Sequence, residues 1–379
     1  MIFIRTLFGE IMRVLSIIDS FKGTLTSLQL GQIMSEELNK KGIEADYIPI
    51  SDGGDGFLDV IEMVVKTKRV EVMVSDPLGR KIKTYFLFDE ITRTAYLELA
   101  KSSGINLLSK SELNPFLTST FGLGETIDQA LIHGAKKMVV GIGGSATNDG
   151  GSGMLEALGY RFFDAEDHLL SPLSGGKLDR LCKIDDSNFR KKIAGVEFLI
   201  ASDVTNPLLG RKGATYIFSK QKGAKAEELS LLESKMENYA TVIEQMIKKD
   251  FRTFPGAGAA GGVGFAFKSM FNASFRSGIE YILDLVHFET LIKNYDVIIT
   301  GEGKIDQQSF DGKVVFGISQ RAQNKKIVLV CALCEVSEAE LKAKNIHKLY
   351  SIVDSIASVE ESMNHPAECF RKLCDSINF

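Results

Sequence analysis

Short runs of β-branched and apolar residues recur along the chain, each stopped abruptly by small or acidic ones. MRVLSII gives way to Asp19-Ser-Phe-Lys-Gly, ADYIPI to Ser51-Asp-Gly-Gly-Asp-Gly, and KKMVVGI to a glycine-rich stretch. VEFLIA runs into Ser202-Asp-Val-Thr-Asn-Pro, and YDVIIT into Gly301-Glu-Gly-Lys-Ile-Asp. Length and composition predict a strand for each run, with a loop at its carboxyl end. Segments of helical period lie between them. In AKAEELSLLESKMENYATVIEQMIKK, Leu229, Leu232, Met236, Tyr239, Ile243 and Ile247 stand three or four apart. That is one apolar face of an amphipathic helix, so its Met and Tyr belong to the core. The alternation predicts an α/β protein with largely parallel sheets, in which ligands sit beyond the carboxyl ends of the strands. Residues 76–120 read as a smaller mixed unit: DPLGR, a hairpin-like pair TYFLF and TAYLEL, and the turn-rich LNPFLTSTFGLGE.

A length of 379 residues exceeds the usual single core, so two domains are expected, whole or interleaved. Hydrophobic residues at 44% and charged residues at 25% are an ordinary globular balance. With a net charge of −4 and no basic stripe, nothing points to nucleic acid or a lipid surface. No apolar run reaches the roughly 18 residues of a membrane span, and the N-terminus, interrupted by Arg5, Glu10 and Arg13, does not read as a signal peptide. Met12 is an alternative start, which would make residues 1–11 an extension. Five cysteines, an odd number, suggest free thiols in a reducing compartment, hence the cytoplasm. Cys331 and Cys334 read as buried small residues at a strand end. The competing reading is a redox CxxC, or a zinc site shared with Cys369 and Cys374.

The glycine-rich stretch after KKMVVGI belongs to GIGGSATNDGG, residues 141–151, in which five of eleven residues are glycine. It suits either a phosphate cradle or a polar turn. No Walker A sequence is present, and neither an HRD-type loop nor a DFG triplet appears. Gly256-Ala-Gly-Ala-Ala-Gly261 matches GxGxxG, with Glu280 downstream, but it follows a long helix and a proline. Ser277-Gly-Ile-Glu280 also fits a helix capping box. The glycines of PGAGAAGG serve either ligand approach or close packing. Asp52-Gly-Gly-Asp55-Gly places two carboxylates on a tight turn, suited to hydroxyl recognition or Mg²⁺ although without EF-hand spacing. Asp203 stands before Asn206-Pro207, as a cap or a catalytic acid. Glu302, Lys304, Asp306 and Lys313 crowd GEGKIDQQSFDGK. The five histidines are scattered, and none completes a Ser-His-Asp arrangement. Backbone donors, carboxylates and lysines at strand ends are what phosphoryl transfer requires.

DSFKGTLTS, DGGDGF, DPLGR, GIGGSATNDGG, SDVTNPLLG, QKGA, PGAGAAGGVG, SGIEYILDL and ITGEGKIDQQSFDGK occur in that order. Together they resemble the bacterial-type glycerate kinase family, the type I enzymes, from about Met12 to Gly317. The resemblance implies ATP-dependent phosphorylation of D-glycerate, usually to the 2-phospho product, with Mg²⁺. It also implies two α/β domains flanking an active-site cleft, one Rossmann-like with a parallel sheet. We expect the Rossmann-like domain to comprise residues 12–75 and 290–379, with 76–289 inserted.

On that footing Gly143, Gly144, Ser145, Thr147, Gly258 and Gly261 are expected at the ATP phosphates, with Lys22 neutralising the transferred charge. Asp203 is expected to orient or deprotonate the glycerate hydroxyl, and Glu302 and Asp306 to hold Mg²⁺. Asp52, Asp55, Lys313, Asn148 and Arg80 are expected at the substrate. The family's DGGEG is DGGDG here, and Leu113 stands where an Arg commonly precedes Asn-Pro, a loss that Lys22 or Arg80 would have to cover. CALCE after KKIVLV also departs from the family pattern. The rival functions are an NAD(P)-dependent 2-hydroxyacid oxidoreductase, resting on GxGxxG, and a non-enzymatic sugar-acid or nucleotide sensor.

Overall fold

The runs that alternate with acidic loops fold as strands. The structure, a computed structural model, describes residues 12–187, 193, 195–310 and 314–379. The extension at residues 1–11 and Lys313 therefore lie outside the described residues. In chain order the strands begin with β1 (Arg13–Ile18), β2 (Glu44–Tyr47), β3 (Lys68–Ser75), β4 (Lys81–Asp89), β5 (Thr94–Glu98), β6 (Lys137–Gly141) and β7 (Arg161–Phe163). They continue with β8 (Lys183–Asp185), β9 (Glu197–Ala201), β10 (Ser274–Arg276), β11 (Val297–Ile305), β12 (Lys326–Cys334) and β13 (Lys348–Ser351).

Contacts cluster into two units: one formed by the segment up to Asp52 with Ile279–Phe379, the other by Gly53–Gly278. The first carries a sheet of order β13-β12-β11-β1-β2, parallel throughout. Val14 and Ile18 of β1, Val297 and Ile299 of β11, and Val328 and Val330 of β12 share one face. Alternate residues of a strand point to the same side, and these pack on Leu30 and Met34 of the helix Ser27–Lys40 and on Phe370 and Leu373 of the helix Pro366–Ser376. The first helix opens at Thr26, whose hydroxyl accepts from the Gln29 N–H while the Gln29 side chain accepts from the Thr26 N–H. That reciprocal pair fixes where the chain turns back after β1. From β1 the chain proceeds to β2 on one side of the sheet, and from β11 to β12 and β13 on the other. The order reverses at the carboxyl ends of β1 and β11, the place where open α/β sheets bind ligands.

The second unit carries a mixed sheet, β10-β9-β6-β5-β4-β3. Its pairs from β10 to β5 are parallel, and β4 runs antiparallel to both β5 and β3. The expected hairpin of TYFLF and TAYLEL is the β4–β5 pair. Leu229, Leu232, Met236, Tyr239 and Ile243 line the buried face of the helix Leu229–Ile247, as their spacing predicts. β7 and β8 form a separate ribbon.

The breaks fall at Asp52/Gly53 and Gly278/Ile279, rather than after residues 75 and 289. Main-chain pairing accounts for the first: β3 is matched to β4 along its whole length, from Lys68 opposite Phe88 to Ser75 opposite Lys81. Ion pairs account for the second, because Glu280 and Asp284 of the helix Gly278–Leu285 each lie 2.9 Å from Arg321 of the first unit. β11 also runs further than its apolar pattern suggests. Glu302, Lys304 and Ile305 stay in register with Cys331, Leu333 and Cys334 of β12, so GEGKI is strand, not loop. Gly301 is required there because a Cβ would overlap the Val330 carbonyl oxygen. Cys331 is buried inside β12, and Cys369 and Cys374 join the first unit's core. Among the described residues no cysteine belongs to a group compact enough to hold a metal.

Candidate active site

In the first unit Asp19 follows β1 directly. Its N–H donates to the Gly301 carbonyl at 2.8 Å, and its carboxylate accepts from the Ser20 N–H at 2.7 Å. Both contacts sit at the reversal point of the sheet. The side chain is only 7% exposed. Burial pushes its pKa up to about 7, with the negative charges of Asp52 and Glu302 adding to the shift and Lys22 and the Ser20 N–H opposing it. Lys22 occupies the turn closed by the Phe21 N–H to Leu25 carbonyl bond and places Nζ 3.2 Å from Asp52. That carboxylate, followed by Asp19 and Glu302, holds the ammonium above its ordinary pKa, against the effect of burial. Ser27 fixes the approach of Asp52: its hydroxyl donates to the Ile18 carbonyl and accepts from the Ile50 N–H at 2.8 Å. Glu302, buried within β11, completes three acids around one lysine. Asp306 lies beside Lys304, which pairs with Glu335 at 2.9 Å.

In the second unit three loops are packed backbone to backbone. The DGGDG stretch divides, with Asp52 in the first unit and Gly53 onward in the second. The Gly53 carbonyl accepts from the Gly143 N–H at 3.0 Å, and a Cβ on Gly53, at φ 88°, would overlap the Ala201 carbonyl oxygen. A Cβ on Gly143 would overlap the Cα of Gly54. The exit loops of β6 and β9 are thereby clamped on Gly53 and Gly54. Gly53→Ala is expected to lower stability by about 2–4 kcal/mol, from a positive φ and a steric clash together, measured as the shift of the urea midpoint. An unchanged midpoint would show that this packing has room to spare.

Asp55 accepts from the Asn106 amide at 2.9 Å and lies where a Cβ on Gly144 would touch it. Glu98 at the end of β5 accepts from the Gly56 and Leu58 N–H groups, at 3.3 and 3.0 Å, and so holds the start of the helix Phe57–Val64. Burial pushes Glu98 up to about 7, against the pull of Lys101 and these N–H groups.

Several expected ligand contacts are occupied inside the protein. Thr147 and Asn148 are buried; the Asn148 amide nitrogen donates to Thr215 at 3.3 Å, whereas the Thr147 hydroxyl and the Asn148 amide oxygen have no partner among the described residues. Asp149 accepts from the N–H and hydroxyl of Thr120 and from the N–H groups of Gly151 and Gly153, so it secures the start of the helix Ser152–Ala157. The Gly258 N–H donates to the Asn206 carbonyl, and the Gly143 N–H to Gly53. A Cβ on Gly258 or Gly261 would overlap the carbonyls of Pro207 and Thr147. Close packing thus explains PGAGAAGG. Its GxGxxG follows no strand and lies outside the parallel first sheet, which removes the geometry a dinucleotide needs. Arg80 is engaged by Asp76 of its own turn and by Glu112 of the 109–112 turn.

Gly144 is exposed at the loop surface with Ser145 buried just behind it, and both are bridged to the 103–105 segment by the Ile105 N–H to Gly144 carbonyl and Ala146 N–H to Ser103 carbonyl bonds. Two residues here carry no role expected from the sequence, Asp19 and Lys222. The Lys222 ammonium donates to the Ser145 hydroxyl oxygen at 2.8 Å and to the Thr147 carbonyl at 2.6 Å. Their signal was position alone, in DSFKG at the end of a strand and in QKGA.

Comparison with known proteins agrees with the fold and the motif order. A model of the glycerate kinase family matches residues 14–378. A glycerate kinase of Bacillus subtilis (strain 168) is 35% identical over 97% of both chains. A glycerate 2-kinase of Escherichia coli (strain K12) is 34% identical over 93% of both. A glycerate kinase 2 crystal structure from Salmonella typhimurium LT2 superposes with a TM-score of 0.78 at 32% identity, covering 96% of each chain.

Proposed function

The chain belongs to the glycerate kinase family and is an enzyme of that kind, and from that premise we propose that it transfers the γ-phosphoryl group of ATP to the 2-hydroxyl of D-glycerate with Mg²⁺. The observation that carries this reading is the Asp19–Lys22–Asp52–Glu302 cluster at the reversal point of the parallel sheet. The Escherichia coli relative is a 2-kinase by name, which favours the 2-phospho product.

The acids suit Mg²⁺, a hard cation bound through one or two carboxylates. Asp19 and Glu302 are buried and raise each other's cost of ionisation, which a divalent cation would relieve. We assign them as its holders, in place of the expected Glu302 and Asp306 pair. When bound, Mg²⁺ neutralises charge on the phosphate oxygens. Lys22 adds a second, mobile positive charge for the transferring group, held ready by Asp52. Gly144 and Ser145 hold phosphate through the backbone and the hydroxyl. Asp203 takes the proton of the substrate hydroxyl as that oxygen bonds to the γ-phosphorus and the bond to the ADP oxygen breaks. Asp55, held by Asn106, binds a substrate hydroxyl.

³¹P NMR of products from ATP, Mg²⁺ and D-glycerate tests activity and regiochemistry together. The expected result is ADP with a 2-phosphoglycerate resonance. A 3-phosphoglycerate resonance would overturn the regiochemistry, and no phosphoester at all would overturn the assignment of substrate.

A further inference from the structure

Lys222 is a lysine placed where lysines are rarely found. It is 2% exposed and closes the short turn Lys220–Lys222. Gly223 follows at φ 99°, where a Cβ would overlap the Leu113 carbonyl oxygen, so the turn is seated firmly against the 113 segment. Among the described residues no carboxylate lies within ion-pair distance of its ammonium, whose partners are the Ser145 hydroxyl and the Thr147 carbonyl. Burial pushes its pKa down to about 7, and Asp149 opposes that shift from further away. A buried cation without a close counter-ion is costly, and it becomes favourable once an anion arrives.

In the charged form of Lys222 the polarity of the contact is fixed. An ammonium has only donors, so Ser145 must accept from Lys222 through a lone pair of Oγ. The one proton of Ser145 is then directed elsewhere, and among the described residues none accepts it. Phosphate oxygens offer acceptors only. We infer that Lys222 is the positioning residue of this loop: it holds Ser145 with its O–H aimed outward as a donor to nucleotide phosphate and supplies the buried positive charge that phosphate compensates. This inference rests on the reading of Gly144 and Ser145 as phosphate-holding.

The test is a double-mutant cycle on the full-length protein, with calorimetric Kd values for ATP and D-glycerate and steady-state kinetics. Ser145→Ala and Lys222→Met are each expected to weaken ATP binding roughly 10- to 100-fold, the range for a hydrogen bond involving a charged group, with little change for D-glycerate. The double variant is expected within about twofold of Lys222→Met, because one contact acts through the other. A merely structural lysine gives multiplying effects, and that result overturns the inference. So does a Lys222→Met protein that binds ATP as the wild type does while Ser145→Ala does not, which leaves the phosphate reading standing. If Ser145→Ala instead weakens D-glycerate alone, the phosphate reading falls and the inference with it. Should Lys222→Met fail to fold, Lys222→Gln keeps an N–H donor without the charge, and the same coupling is expected of it.

Discussion

In Mg²⁺-free buffer at pH 8, the Asp19→Asn protein is expected to melt roughly 3–8 °C above the wild type, while its kcat with Mg²⁺ falls about 100-fold or more. The two effects share one cause. Asp19 has a pKa near 7 in the folded chain against an ordinary 3.8, raised first by burial and then by Asp52 and Glu302. Between about pH 4 and pH 7 the unfolded chain releases this proton and the folded chain retains it, so stability falls as pH rises through that window and stays low above it. The penalty is at most about 4 kcal/mol for a gap of some three pH units. Asparagine keeps an acceptor for the Ser20 N–H and removes the charge. The melting advantage should therefore shrink towards zero by about pH 3, below the ordinary carboxylate pKa, where both states of the wild type are mostly protonated at this residue. Millimolar Mg²⁺ should raise the melting point of the wild type at pH 8 and do so much less in the variant. A variant that melts lower at pH 8, or that turns over normally, would remove Asp19 from the catalytic cluster.

Asp203→Asn is the second large effect, with kcat reduced by roughly 10²- to 10⁴-fold and only a modest change in KM for ATP. The carboxylate stands two residues beyond β9, in a loop held at several points. Ser202 donates its N–H to the Arg276 carbonyl at 3.0 Å, the Asn206 carbonyl accepts from the Gly258 N–H at 2.9 Å, and the Asn206 amide donates to the Lys212 carbonyl at 2.8 Å. Asparagine is nearly isosteric and leaves those bonds in place, so lost turnover would report the missing proton acceptor. Stopped-flow measurement of the transfer step separates this from slow product release, and near-wild-type transfer would end the case for Asp203 as base.

The strands at the five loop-bearing positions and the long helix Leu229–Ile247 are legible because strand and helix periods leave separate marks in a sequence. The residue types of the site are legible for a related reason: small and acidic residues at strand ends have little to pack and much to bind. β3 misled because a strand's own pattern does not name its partner, and its eight residues pair with β4 rather than with the first sheet. GEGKI read as loop because its glycines look like turn residues, yet Gly301 is set by the close passage of β12.

The sequence by itself determined the α/β class and the family, since these depend on local period and on motifs in fixed order. Only the tertiary structure decided which of those residues face outward. It buried Thr147 and Asn148, packed Gly258 and Gly261 against neighbouring carbonyls, and gathered Asp19, Lys22, Asp52 and Glu302 from distant parts of the chain. It also sank Lys222 beneath Ser145. Burial and the polarity of a hydrogen bond are properties of neighbours in space, and a lysine in a three-residue turn carries no mark of either in the order of its letters.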